Sequence, residues 1–196
     1  MAPALSTGPD GRKRCWWGAS TSDYLGYHDE EWGRPVKDDR GIYERMVLEG
    51  FQSGLSWLTI LRKRENFRAA FANFEVERIA AFGEDDVARL MADAGIVRNR
   101  QKIDATIDNA RAAVNLDADL AELLWSFAPE PRPRPRTIAD IPALTPESTA
   151  MAKELKRRGF RFVGPTTAYA MMQACGLVDD HLQGCLVTAS RGSASS

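Results

Sequence analysis

The 196 residues include two histidines, and each has a cysteine nearby in the chain: Cys15 with His28, and His181 with Cys185. His181 and Cys185 are four positions apart, so one helical turn would bring both side chains to one face. Twelve residues separate Cys15 from His28, enough for a loop to bring them together. Two Cys and two His suit tetrahedral zinc, and four protein ligands leave no open position for a catalytic water. Such a site would be structural, clasping the N-terminal segment to the C-terminal one. The competing reading is a set of ordinary half-buried His and Cys residues, since the spacing is not a standard finger pattern. Three cysteines are too few and too unevenly spaced for a disulfide framework. The third, Cys175, sits among Met171, Met172 and Ala174 and reads as core.

A second constellation is aromatic and acidic. Tyr24, Tyr27, Trp32 and Trp57 crowd a short stretch, and Glu49 ends an otherwise apolar helical pattern among them. Aromatic faces can sandwich an extruded base, above all a cationic one, and a neighbouring carboxylate can accept hydrogen bonds from an exocyclic amine. The alternative is that these rings simply fill the core.

The third feature is Gly159 to Gly164, lying between two helical patterns. Backbone N–H groups at the start of the second helix, opened by Gly164 and Pro165, can hold a phosphate without reading sequence, and Lys156, Arg157 and Arg161 would strengthen that hold. The segment lacks the compact Gly-x-Gly of the usual helix-hairpin-helix, so a plain helical hairpin remains the other reading.

These groups must be positioned by helices, because apolar spacing is helical almost throughout and no period-two alternation is sustained. The pattern predicts an all-α fold. Ile42, Tyr43, Met46 and Val47 define a helix from Asp39 to Glu49, with Gly50 as its stop. A second helix follows Gly54 with Leu58 and Leu61 and, after a break, Phe67 and Phe71. Glu84, Asp85 and Asp86 open another that carries Val87, Leu90 and Met91 towards Gly95. Ile103, Ile107, Ala110 and Val114 form one stripe of the next. Leu120 to Phe127 is a short helix, and Pro129, Pro131, Pro133 and Pro135 impose an extended excursion within one unit. Thr145-Pro146-Glu147 is a capped helix start. It opens a helix-hairpin-helix over about 146–176: Pro146 to Arg158, the Gly159 to Gly164 hairpin, then Pro165 to Cys175 with Gly176 as terminator. No internal repeat is present.

Composition sets the outer bounds. With 26 basic and 27 acidic residues the net charge is −1 and the pI about 6.2, so any DNA contact must come from local patches. Two are visible: Arg62, Lys63, Arg64 and Arg68, and Lys153, Lys156, Arg157, Arg158 and Arg161. Each can equally be a solvated helix face. Met1 to Arg14 has no apolar h-region, and no run is long enough to span a bilayer, which leads to the expectation of a soluble intracellular protein.

Arg14-Cys15, YLGYHDEEWG (Tyr24 to Gly33), LEGFQSGLSW (Leu48 to Trp57), KRENFR, AGIVRNRQKI, LWSF, KRRGFRFVG and MQACGLVDDH together resemble the 3-methyladenine DNA glycosylase I family, in order from about Lys13 to Cys185. The resemblance implies an all-helical, two-lobed helix-hairpin-helix glycosylase occupying 13–186, with residues 1–12 and 187–196 as disordered tails. It also implies one structural zinc on Cys15, His28, His181 and Cys185, and no organic cofactor. Tyr27 and Trp57 match walls of a base pocket, with Tyr24 and Trp32 close by. Glu49 matches its carboxylate, and Gly54 and Leu55 match the wedge that fills the gap left by an extruded base. The implied partner is double-stranded DNA containing an alkylated purine, bound by a monomer in the bacterial cytoplasm.

Trp16 stands where a small residue is expected after Cys15. Asp179 and Asp180 lie near the place where the wider superfamily keeps an aspartate, although their closeness to His181 points to a supporting or capping role. A purine methylated at N3 is already cationic and leaves as a neutral base, so no proton need be donated. No lysine occupies an obvious Schiff-base position, which implies a monofunctional enzyme without strand cleavage. Two other classes of reading compete, a non-catalytic hairpin module that binds damaged DNA and a purely structural zinc protein.

Overall fold

The computed structural model describes residues 5–187. Two short strands, β1 (Leu5–Thr7) and β2 (Lys13–Cys15), pair antiparallel with Leu5 opposite Cys15. Helices follow: α1 (Ser22–Gly26), running directly into a wider π turn at Tyr27–Glu31, α2 (Asp39–Gln52), α3 (Trp57–Ala70), α4 (Val76–Ala80), α5 (Glu84–Ala92), α6 (Arg100–Val114), α7 (Leu120–Trp125), α8 (Pro146–Arg157) and α9 (Pro165–Ala174). The architecture is mostly helical, as expected, with the small β-hairpin added. None of these helices is long and apolar enough to cross a membrane.

Local chemistry sets where the helices begin. Asp38, Ser56, Asn99 and Thr145 each accept a hydrogen bond from the first turn of α2, α3, α6 and α8, satisfying N–H groups that have no partner within the helix. The buried face of α6 carries Ile103, Ile107 and Ala110, while Val114 is left exposed. α2 is the central element: it packs against α3, α6, α7 and α9 and buries every residue from Met46 to Phe51. The Tyr43 hydroxyl, inside the core, donates to the Thr106 carbonyl at 2.6 Å, so its one polar group is satisfied.

Several boundaries differ from the sequence reading. Gly50 does not stop α2, which runs on to Gln52. The stop comes from elsewhere: the Lys102 ammonium donates to the carbonyls of Phe51 (2.8 Å) and Ser53 (2.6 Å), and Gly54 then reverses the chain at φ +82°. α3 continues unbroken through Phe67. His181 and Cys185 lie in a turn and not on a helix. Residues 5–12 do not form a loose tail, since β1 is hydrogen-bonded to β2 and Leu5 packs on a small cluster of Cys15, Leu182, Cys185 and Val187. Residues 1–4 and 188–196, the rest of the expected tails, lie outside the described residues. The Pro-rich segment is irregular as expected, and Arg132 and Arg134 hold it to Asp180 and Asp179.

Lys102 thus fixes the end of α2 and the turn after it. Lys102→Met keeps the length of the side chain but strands two carbonyls, with an expected loss of about 1–3 kcal/mol in urea unfolding at pH 7.

Candidate active site

Thr21 caps α1 by accepting from the Tyr24 N–H at 3.3 Å. The π turn that follows widens the coil and sends successive side chains in different directions. Tyr27 faces a cavity, and His28 faces the two cysteines. Gly18 permits this approach, because a Cβ there would stand 2.6 Å from two atoms of the His28 ring.

Cys15, His28, His181 and Cys185 are all buried, and their ligand atoms lie within 4.8 Å of one another. The Cys185 sulfur is 3.5 Å from His28 Nε2 and 3.7 Å from His181 Nδ1, and the Cys15 sulfur is 3.7 Å from His181 Nδ1. A tetrahedron built with ordinary Zn–S and Zn–N lengths has an S···N edge of about 3.6 Å. The imidazole tautomers also suit a cation. His181 Nε2 lies 3.1 Å from the Trp32 carbonyl, which can only accept, so Nε2 carries the proton and Nδ1 turns its lone pair to the sulfurs. His28 Nδ1 pairs with Asp29 at 2.7 Å and leaves Nε2 facing Cys185. Asp29 is in turn held by the buried Arg14. Between the two sulfurs, Cys15 hydrogen-bonds to Cys185, which holds the Cys185 thiol well below its ordinary pKa and pushes Cys15 well above. Without a cation the pair supports one thiolate, whereas a divalent ion would allow two.

The cavity beside this cluster has a volume of about 250 Å³ and is lined by Trp16, Trp17, Tyr24, Tyr27, Trp32, Glu49, Gln52, Trp57, Ile141, Ala170 and Gln173. Tyr27 and Trp57 meet with centroids 5.3 Å apart. Trp17 contacts Tyr24, His28 and Trp32 edge-on at 5.0 to 5.4 Å, so one indole joins the metal-type cluster to the cavity wall. Glu49 is the acid of the cavity, and burial raises its carboxyl to about 8. The Trp57 indole N–H is buried without a partner among the described residues.

The wedge candidates lie at the cavity's edge of the chain: Gly54 and Leu55 form the exposed turn between α2, which carries Glu49, and α3, which begins with Trp57. The hairpin between α8 and α9 places Gly159 and Gly164 at its two ends, and Arg161 is tied to Asn109 through its backbone and to Asp108 through its guanidinium. Arg157 pairs with Glu154, while Lys156 is exposed and has no ion-pair partner among the described residues. The Arg62 to Arg68 group is spent within the fold. Arg62 pairs with Asp23, Arg64 and Arg68 pair with Glu44, and Lys63 caps two carbonyls. Neither aspartate before His181 lines the cavity. Asp179 accepts from the His181 N–H and from Arg134, and Asp180 is buried against Arg132, Tyr169 and Gln173.

A match to the methyladenine glycosylase family covers residues 16–188. The chain belongs to this family. It is 47% identical to the DNA-3-methyladenine glycosylase 1 of Escherichia coli over 178 residues, 88% of this chain and 95% of that protein. It is 42% identical to the DNA-3-methyladenine glycosylase of Haemophilus influenzae, over 88% of this chain and 96% of that one. Among solved structures, a 3-methyladenine DNA glycosylase I crystal structure superposes with TM-score 0.85 at 49% identity, over 88% of this chain and 98% of that chain. The Staphylococcus aureus 3-methyladenine DNA glycosylase I gives 0.83 at 34% identity, over 87% and 93%. For this methyladenine glycosylase, the sequence reading missed Trp17, Gln52, Ile141 and Gln173 on the cavity wall. Only Trp17 carried a signal, as a second aromatic two residues after Cys15.

The Glu49 carboxyl keeps its proton to about 8 in the folded chain, whereas an unperturbed one releases it near 4.5. The folded state therefore binds the extra proton between these values. The stability this contributes is whole below pH 4.5 and is lost as pH rises through about 8. Measured by urea unfolding from pH 5 to 9, wild type is expected to lose on the order of 2–4 kcal/mol relative to Glu49→Gln. Parallel pH profiles for the two proteins would contradict the buried-acid reading.

Proposed function

We infer that this chain removes 3-methyladenine from DNA, drawing the nucleotide out of the duplex into the aromatic cavity and hydrolysing its bond to C1′. The observation that carries this is Glu49, a carboxyl in a cavity walled by Tyr27, Trp57 and Trp17 at the end of a helix whose following turn exposes Leu55. Family membership supports the reaction class.

The chemistry needs little from the protein beyond binding and orientation. As the bond to C1′ stretches, its electron pair passes to the cationic purine, which leaves neutral. Water then adds to the oxocarbenium-like sugar and gives its proton to solvent, leaving an abasic site with the strand intact. The rings attract an electron-poor cation more than a neutral base. Glu49 adds a second filter: a cation in the cavity stabilises the carboxylate and lets the proton go, and neutral adenine offers no such gain. Ordinary adenine would also have to leave as an anion. The turn at Gly54 and Leu55 would fill the space vacated in the duplex, and the hairpin with Lys156 would hold phosphate.

We also infer that Cys15, His28, His181 and Cys185 hold one structural zinc. When bound, the ion supplies a four-ligand cross-link between the segment bearing Trp17 and Tyr27 and the turn at 181–185. Protein purified without chelator is expected to carry about one zinc per chain. Cys185→Ala should lose it and melt several degrees lower. Elemental analysis finding no zinc in the wild type would refute the assignment.

The reaction itself is tested by single-turnover release of free base from methylated duplex DNA. Release of 3-methyladenine should exceed that of 7-methylguanine, with none from unmodified adenine. Because the cationic lesion favours ionised Glu49, kcat/KM should rise with pH to a plateau near 8. Glu49→Gln should abolish that rise and slow release by about a hundredfold or more. Retention of methylated DNA without base release would leave a binding module and not an enzyme.

A further inference from the structure

Phe162 occupies the tip of the hairpin between α8 and α9 with φ +55°, in the left-handed region that a bulky side chain rarely enters. Glycine would adopt this conformation without steric cost. The strained residue is held rather than frayed. On its N-terminal side the Asn109 side chain accepts from the Arg161 N–H at 2.7 Å and donates to the Arg161 carbonyl at 3.1 Å, and on its C-terminal side Val163 is buried. The bend leaves the N–H groups of Phe162, Val163 and Gly164 without an acceptor among the described residues, an arrangement suited to an anion.

That accounts for the backbone but not for the ring. Phe162 is 37% exposed, so burial in the free protein only partly compensates for the strained conformation. It faces Gly50, one residue beyond Glu49 on α2 and before the turn that exposes Leu55, and a Cβ at Gly50 would stand 3.6 Å from the Phe162 Cβ. The ring also shares a groove with Lys102, whose ammonium holds the carbonyls of Phe51 and Ser53 at the end of α2. The exposed aromatic thus lies on the hairpin that carries the phosphate-type site and lines a groove with the C-terminal part of α2, the helix that leads into the wedge turn. A DNA strand held at that site and opened at the wedge turn would run past it.

We propose that the Phe162 ring is a DNA-contacting group that packs against deoxyribose of the strand whose phosphate the hairpin N–H groups hold. The proposal rests on the DNA-glycosylase reading above. An apolar face against a sugar buries area without neutralising a phosphate, so it adds affinity while releasing no counterions. It also sets the hairpin beside α2, the helix that carries the pocket acid.

The informative variant is Phe162→Gly, which suits the left-handed backbone and removes only the ring. Its melting temperature is expected to equal or exceed that of wild type, and its titration with free 3-methyladenine to be unchanged. Affinity for an unmodified duplex should fall about tenfold, with an unaltered slope against salt. Lys156→Ala, by contrast, should flatten that slope by about one unit. Phe162→Leu keeps the packing on Gly50 but not the flat ring, and should lose about threefold in affinity. Duplex affinity of Phe162→Gly equal to wild type would overturn the proposal, as would a fall in its melting temperature with Phe162→Leu binding DNA normally, since the ring would then serve the fold. Because these readouts are binding and stability, they separate from the base-release assay: a chain that released no base but showed this pattern would retain the contact and lose the reaction.

Discussion

Two sulfurs and two imidazoles converge from opposite ends of the chain, and the cavity depends on that convergence. Trp17, Tyr24, Tyr27 and Trp32 all lie in the segment bounded by Cys15 and the residues just after His28, whose regular structure is the short α1 and the π turn that follows it. What locates it is the buried cluster with its supporting bonds: Asp29 on His28, Arg14 on Asp29, and the Trp32 carbonyl on His181. Each of these bonds also positions a ring or a strand. Trp17 touches both His28 and the aromatic wall, so a displaced imidazole would be felt directly in the cavity.

Against this wall stands a helix with opposite properties. α2 is regular and nearly surrounded by protein, and it brings Glu49 into the cavity with no partnering cation among the described residues. Elsewhere the fold pairs its buried acids promptly: Glu44 with Arg64 and Arg68, Asp180 with Arg132. Leaving Glu49 unpaired costs stability near neutral pH, and that cost is relieved only by something positive entering the cavity. On the proposed reading, selectivity for a cationic base follows from what the fold withholds as much as from what it supplies.

Much of this was legible in the residues. Capped helix starts, the stripe on α6 and the helix-hairpin-helix follow from spacing and from Ser, Thr, Asp, Asn, Pro and Gly at the proper places. The two Cys–His pairs were visible as pairs, although their meeting is tertiary and the helical turn expected for His181 and Cys185 is absent. What failed to show were facts that depend on a distant partner. Gly50 looks like a terminator until Lys102, distant in sequence, is seen to end the helix later. Four basic residues in α3 look like a DNA patch until Asp23, Glu44 and two carbonyls claim them. Residues 5–7 look like a tail because a three-residue strand has no periodicity to read. Trp17, Gln52 and Gln173 meet at the cavity only through packing.

The long span of the buried cluster also has a kinetic meaning. Cys15 and His181 are separated by 166 positions, so the first residue of the cluster leaves the ribosome long before the last. At ordinary elongation speeds the delay is roughly ten to thirty seconds. During that interval α2 can already pack on α3, α6 and α7, whose residues are made early, while α9 joins only near the end. The aromatic segment cannot be locked, and its thiol and rings remain exposed to solvent, oxidants and chaperones. The nascent protein therefore acquires part of its helical scaffold well before Cys15 can meet His181 and Cys185.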